Sequence, residues 1–135
     1  MKTSWRLLLS GGLAVCASAP GAAPDAIRGE QIYARCMACH ALAFDRVGPR
    51  HCALFGRPAG SVPGFDYSPA MKSSHIVWND KTLDLFLVSP GKAVPGTSMT
   101  YDGIADPKDR SDLIAFLHAA NRSAECNVTR AAAKR

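Results

Sequence analysis

The sequence has no uninterrupted apolar run that could cross a bilayer, which takes about 20 residues. Its most apolar early stretch, residues 7–15, contains a Ser-Gly-Gly break. Lys2 and Arg6 precede this stretch and small residues follow it, a pattern typical of a cleaved export signal. We therefore expect residues 1–23 to be a signal peptide and the mature chain to be periplasmic, without stable membrane insertion. The alternative is a lipid anchor at Cys16, because Leu-Ala-Val before it approximates a lipoprotein signal.

The sequence also lacks any block of five or more like charges. The formal net charge of +5 falls to about +3 once Lys2 and Arg6 are removed with the signal. Aromatic residues do not alternate with a basic stripe, so we expect no nucleic-acid partner. Alternation of polar and apolar residues is nowhere long enough for a strand. The sequence therefore predicts one all-α domain, residues 24–122, followed by a C-terminal tail, residues 123–135.

Three to five helices are expected, separated by long loops. Predicted helices cover residues 29–36 and 79–88 and a last segment that begins near Pro107. Asp106 and Pro107 indicate the start of that last helix, as its N-cap and its first helical residue. Residues 41–64 and 89–103 are predicted loops; the first is rich in glycine, proline and arginine and has no helical or strand period.

Two of the five cysteines belong to a motif that is specific for one kind of cofactor attachment. Cys36-Met-Ala-Cys39-His40 has the spacing of covalent c-type haem attachment, in which two thiols add to the porphyrin vinyl groups. A zinc site would need a second ligand pair, and Cys52 and Cys126 stand alone. The motif predicts one covalent haem c held by Cys36 and Cys39, with His40 as an axial ligand of the iron.

Cys52 and Cys126 remain after the signal and the haem pair are set aside. An even number of cysteines in an exported protein favours a disulfide between them. The alternative is two unpaired thiols, one buried and one in the tail.

The second axial ligand is expected to be Met99. It follows Val-Pro-Gly-Thr-Ser in a loop that proline stiffens and glycine allows close to a porphyrin. A methionine opposite histidine raises the reduction potential and closes the iron to small ligands, which suits electron transfer. The alternatives left open are Met71, His75, His51 and an open position.

The chain resembles class I cytochromes c of the mitochondrial and small bacterial type over residues 29–121. The matching segments, in the family's order, are Cys36-x-x-Cys39-His40, Val47-Gly-Pro, Leu54-Phe-Gly-Arg57, Pro63-Gly-Phe-Asp-Tyr-Ser68, Ile76-Val-Trp78, Thr82-Leu83, Val94-Pro-Gly-Thr-x-Met99 and Asp112-Leu-Ile-Ala-Phe-Leu117. The resemblance implies the cytochrome c fold, helices and long loops wrapped around one haem.

The resemblance also implies roles for individual residues. Arg57, Tyr67 and Trp78 would hydrogen-bond a haem propionate, and Thr97 would donate to a propionate as well. Pro49 would support His40 and orient its imidazole N–H. These roles agree with elementary electrostatics, since a buried carboxylate requires an opposite charge or hydrogen-bond donors.

Two of the positions that depart from the family's pattern lie near the expected site. His51 occupies a position that is normally apolar, in the segment Arg50-His51-Cys52-Ala53. Phe86 stands where the family usually has a tyrosine that bonds the methionine sulfur. The local packing around His51 and the tuning of the axial bond are therefore expected to differ from the family's.

The function implied is that of a monomeric, non-enzymatic one-electron carrier of a respiratory chain. Its partners would be periplasmic or membrane-bound redox proteins: a cytochrome bc complex, a terminal oxidase, a reaction centre or a dehydrogenase. Lys72, Lys81 and Lys92 are candidates for a basic ring that steers the carrier to acidic partners. The alternatives are an electron-accepting subunit of one periplasmic dehydrogenase, and a haem sensor or peroxidase-like protein with a labile Met99.

Overall fold

A computed structural model describes residues 21–132, in which helices are separated by long loops. The helices are α1 (Ala26–Tyr33), α2 (Pro69–Lys72), α3 (Asp80–Val88), α4 (Pro90–Ala93), α5 (Pro107–Asn121) and α6 (Ala124–Ala132). Within the described residues there is no strand; an isolated bridge pairs Pro58 with Val77. The all-α prediction is confirmed, and the helix number exceeds five because two helices are single turns. No helix between residues 21 and 132 is long and apolar enough to span a membrane.

The predicted elements differ from the observed ones mainly at loops and ends. α1 begins at Ala26, because Asp25 caps it by accepting hydrogen bonds from two backbone N–H groups of its first turn. The predicted loop 89–103 contains α4, which starts at the proline that ends α3. Residues 1–20 of the predicted signal peptide, with Cys16, lie outside the described residues.

The crossing of α1 and α5 is the central packing contact of the fold. At Gly29 a Cβ atom would lie 2.0 Å from the carbonyl oxygen of Asp112 and 2.8 Å from Cβ of Phe116. Only glycine allows the two backbones to approach this closely. One turn further along α1, the Tyr33 ring packs on Phe116 with centroids 5.0 Å apart. The crossing therefore sets the direction in which α1 leads into the following turn.

A buried carboxylate ties the start of α1 to α5. Asp112 is fully buried and accepts hydrogen bonds from the Asp25 backbone N–H at 2.7 Å, Arg28 Nη1 at 2.5 Å and Lys108 Nζ at 2.5 Å. Hydrogen bonds, led by that of Lys108, hold the pKa of Asp112 down at about 2. The ionised form is therefore the one that the fold stabilises.

A disulfide between Cys52 and Cys126 joins the loop after the C-x-x-C-H turn to α6. The two Cα atoms are 5.1 Å apart, and both residues are almost fully buried. The segment expected to be a tail, residues 123–135, therefore contains a helix whose Cys126 is anchored to the core. The cross-link closes a loop of 74 residues around the core.

Asp112→Asn tests the contribution of the buried carboxylate. Because the pKa of Asp112 lies below its ordinary value of 3.8, its stabilisation is present above pH 4 and is lost as the pH falls towards 2. We expect the variant to melt at a lower temperature at neutral pH, and its difference from the native protein to shrink between about pH 4 and pH 2. Asp66→Asn, at a fully exposed carboxylate, is the control. A melting difference that is the same at every pH would contradict this role.

Cys52→Ala/Cys126→Ala tests the cross-link. The loop-closure model predicts a loss of about 4 kcal/mol in the free energy of unfolding for a loop of 74 residues. Denaturant unfolding of the haem-loaded protein measures this loss. Titration of the denatured, unreduced native protein with a thiol reagent should find both cysteines unreactive; reactive thiols at Cys52 and Cys126 would refute the bridge.

Candidate functional site

The C-x-x-C-H motif forms one compact turn directly after α1. The backbone N–H of Cys36 donates to the Tyr33 carbonyl at 2.8 Å, and the Cys36 carbonyl accepts from Cys39 at 3.1 Å and from His40 at 2.8 Å. This winding places two free thiols and an imidazole on the same turn. Cys36 is half-buried against the core and Cys39 is exposed. Burial raises the pKa of the Cys36 thiol to about 11, so it is protonated at neutral pH.

His40 is presented as a neutral imidazole with a defined tautomer. Its ring is buried, and Nδ1 lies 2.8 Å from the carbonyl oxygen of Pro49, which can only accept a hydrogen bond. The proton is therefore on Nδ1, and Nε2 carries the lone pair that binds a metal. Burial lowers the pKa of His40 and keeps the ring neutral. Pro49 thus contacts His40 through its carbonyl.

Gly48 leaves the space that the His40 ring occupies. A Cβ atom at this position would lie 2.3 to 2.7 Å from three atoms of the imidazole. The Gly48 N–H donates to the Cys39 carbonyl at 2.7 Å, which draws the loop onto the C-x-x-C-H turn. The Val47-Gly-Pro segment therefore packs against the His40 ring and requires glycine at its centre.

The alternatives for the second axial ligand occupy different environments. His51 stacks on His40 itself, with centroids 4.3 Å apart and planes at 23°, so it belongs to the same side of the site. His75 is exposed and has a positive φ of 55°. Met71 is buried in the core, whereas Met99 is half-buried against it on a loop that turns at Gly96 with φ 89°.

Arg57 carries a buried donor with no partner in the described structure. Its Nη1 and Nη2 atoms each donate to a backbone carbonyl at 3.0 Å, those of Cys52 and Arg50, whereas its buried Nε has no acceptor. A buried N–H without an acceptor is costly, and an acidic oxygen beside the guanidinium would satisfy both the hydrogen bond and the charge. This orphaned donor, together with the free Nε2 of His40, fits a haem with its propionate.

Of the other residues expected near a propionate, Trp78 and Tyr67 lie near Arg57, whereas Thr97 makes its contact elsewhere. Trp78 is buried, and its backbone N–H donates to the Arg57 carbonyl at 3.0 Å, so the two residues are adjacent. Tyr67 is half-buried, and burial raises its pKa while the nearby Arg57 charge lowers it. Thr97 instead belongs to the Met99 loop, where its Oγ1 accepts the Met99 N–H at 3.3 Å.

Asn121 is a supporting residue that the sequence reasoning misses. Its Oδ1 accepts the Leu54 N–H at 3.1 Å, and its Nδ2 donates to the carbonyls of His51 at 3.1 Å and Leu117 at 2.9 Å. It thus fixes the His51 loop to the end of α5. The sequence does contain a signal for it. Asn121 lies four residues after Leu117, on the same face of the helix, and a polar side chain on a buried face requires partners.

The fold and the C-x-x-C-H turn define the class of c-type haem proteins. Residues 26–121 match the family model "Cytochrome c". The chain is 42% identical to cytochrome c2 of Rhodomicrobium vannielii over 115 residues, 83% of this chain and 92% of that protein. It is 40% identical to cytochrome c2 of Blastochloris viridis over 120 residues, 86% and 94% of the two chains.

A solved structure shows the same fold. Cytochrome cH from Methylobacterium extorquens matches with a TM-score of 0.69 and 41% identity, over 70% of this chain and 98% of that one. The chain belongs to the cytochrome c family. It is a monohaem cytochrome c with a covalently bound haem c, and its role is electron transport.

Gly48→Ala tests the close packing of Gly48 against the His40 ring. The added methyl group would overlap the imidazole, so we expect reduced haem incorporation or loss of the low-spin spectrum of the purified protein. Gly91→Ala is the matched control, because a Cβ atom there meets nothing within 4 Å. Equal haem content and identical visible spectra in the two variants would contradict the tight fit at Gly48.

Proposed function

We propose that the chain is a periplasmic one-electron carrier whose haem is attached through Cys36 and Cys39 and whose iron is held between His40 and Met99. The observation that carries this proposal is the buried His40, with Nδ1 bonded to Pro49 and Nε2 free. When bound, the haem supplies a one-electron couple at the iron. The protein's own residues provide its ligands, its exclusion from water and the balance of its charge.

Met99 is favoured over Met71 as the second ligand by its surroundings. Met71 lies on the short helix α2 with its side chain in the closed core, and its carbonyl accepts the Ser74 N–H and hydroxyl. Met99 lies on an irregular loop, and its half-buried side chain packs on the outside of that core. A thioether supplied from a loop can meet the iron without a helix crossing the porphyrin face.

Arg57 is proposed to neutralise a buried haem propionate. Its charge is taken out of water, which lowers its pKa, and its orphaned Nε donor points to a missing acidic partner. Trp78, joined to Arg57 by a backbone hydrogen bond, and Tyr67, which interacts electrostatically with Arg57, would add donors to the same carboxylate. Thr97 would bond a propionate from the Met99 loop. The group would retain its negative charge inside the protein because these donors replace water.

The proposed partners are other redox proteins with acidic docking faces. Lys72, Lys81 and Lys92 are exposed, and Lys72 has a weak contact of 3.7 Å with Asp66. Such charges increase the rate of encounter with an acidic partner and lose that effect in salt. The periplasmic location rests on the signal-like start of the sequence and on the Cys52–Cys126 disulfide, which is typical of an oxidising compartment.

Met99→Ala tests the closed, six-coordinate iron. The native protein should titrate as a reversible one-electron couple and, when reduced, should not bind carbon monoxide at neutral pH. The variant should bind carbon monoxide and have a lower reduction potential, because the thioether is lost. Met71→Leu, which retains the core volume, is the control and should behave as the native protein.

The same measurements separate the proposed carrier from its alternatives. Rapid carbon monoxide binding by the native reduced protein would contradict the closed site and favour a sensor or peroxidase-like function. Purification in a stable, fixed ratio with a dehydrogenase, without salt-sensitive association, would contradict the freely diffusing carrier.

A further inference from the structure

A second histidine lies against the proposed ligand. The His51 ring stacks on His40 at a centroid distance of 4.3 Å, and its Nδ1 lies 3.0 Å from the hydroxyl of Tyr33. Tyr33 is itself buried at the end of α1, with 4% of its surface exposed. The two polar groups thus satisfy each other, and His51 does so at a position that family resemblance would make apolar.

The backbone of His51 is fixed from two directions. Its N–H donates to the carbonyls of Ala41 and Leu42, each at 3.1 Å, and its carbonyl accepts from Asn121 Nδ2 at 3.1 Å. The next residue, Cys52, is in the disulfide to α6. The point from which the imidazole extends is therefore fixed by contacts with both the C-x-x-C-H side and the last two helices.

Aromatic side chains form a continuous series of contacts from α5 to His40, the proposed ligand. Phe116 packs on Tyr33 at 5.0 Å, Tyr33 meets the edge of His51 at 5.6 Å, and His51 stacks on His40. The packing of α1 on α5 is thus transmitted to one face of the His40 ring by aromatic groups whose positions are tightly restricted.

The hydrogen bond to Pro49 holds the His40 ring at one edge only. A bond at Nδ1 and a ligand at Nε2 determine the axis of the imidazole and restrain its rotation about that axis through a single contact. Contact on the face of the ring restricts that rotation further. The orientation of an axial imidazole plane decides how the unpaired electron of a ferric, low-spin haem is distributed over the porphyrin.

We propose that His51 is a positioning residue: held by Tyr33, it stacks on His40 and fixes the rotation of the His40 imidazole plane about the axis through Nε2. The proposal rests on the proposed function, in which His40 is an axial ligand. It assigns Tyr33 an indirect role, exerted only through His51.

The experiment uses the haem-loaded protein and the proton NMR spectrum of its ferric form, in which the four haem methyl resonances report the imidazole orientation. His51→Leu should change the spread or the order of these resonances. Tyr33→Phe, which retains the ring and its packing on Phe116, should cause a smaller shift. The double variant should match His51→Leu, because Tyr33 acts through His51.

His118→Leu is the matched control. His118 also stacks on an aromatic ring, that of Phe55, with centroids 3.6 Å apart, and it bonds Asp80 at the surface rather than touching His40. It should lower stability slightly and leave the methyl resonances unchanged. A His51→Leu protein with native methyl shifts and only a lower melting temperature would show that His51 merely fills space.

Two further outcomes bear on the proposal. If His51→Leu fails to incorporate haem, an unchanged methyl pattern in Tyr33→Phe still overturns it. A native ferric spectrum that is high-spin would overturn the axial ligation as well, whereas a low-spin native spectrum with unchanged variants would overturn the positioning role alone.

Discussion

The hydrogen bond from His40 Nδ1 to the Pro49 carbonyl is the interaction around which the site is organised. It selects one tautomer of a buried imidazole and leaves Nε2 as a lone-pair donor. Gly48 makes room for the ring, and the Gly48 N–H returns the loop to the Cys39 carbonyl. Loss of this bond would leave a buried N–H unsatisfied and the ring less restrained. The position of the ligand therefore depends on the geometry of the loop that carries Pro49.

Contacts with the helices fix the C-x-x-C-H turn and the loop that follows His40. Gly29 allows α1 to cross α5 in backbone contact, and Asp112 on α5 holds the start of α1 by accepting hydrogen bonds from the Asp25 N–H and from Arg28. The C-x-x-C-H turn follows α1 directly, so the crossing also fixes the site. At the other end, the Cys52–Cys126 bridge and Asn121 hold the loop after His40 to α6 and α5. The ligand-bearing segment is therefore clamped at both of its ends.

The sequence was most informative where the signal is local. Asp106 caps α5 and Pro107 is its first residue, as predicted, because capping depends on a few adjacent side chains. Within the predicted helix 79–88, Leu83, Phe86 and Leu87 have the i, i+3, i+4 spacing of one helix face, and all three are buried in α3. The roles assigned to the site residues themselves stay predictions and proposals, since they concern a bound haem.

Features that depend on contacts between distant segments could not be read in this way. The Tyr33–His51 hydrogen bond joins residues 18 positions apart, and the Asn121 contacts with the His51 loop span 70. Nothing in the spacing of either residue indicates its partner. The disulfide between Cys52 and Cys126 is an exception, because counting cysteines indicates the pair, but the count does not indicate that residues 124–132 form a helix.

The proton NMR spectrum of the reduced, haem-loaded protein tests the central claim most directly, that the iron lies between His40 and Met99. A methionine methyl held over the porphyrin face is strongly shielded by the ring current. The account predicts one methyl singlet displaced far upfield of the protein envelope, present in the native protein and in Met71→Leu and absent from Met99→Leu. An upfield singlet that persists in Met99→Leu, or its absence from the native spectrum, would contradict the account.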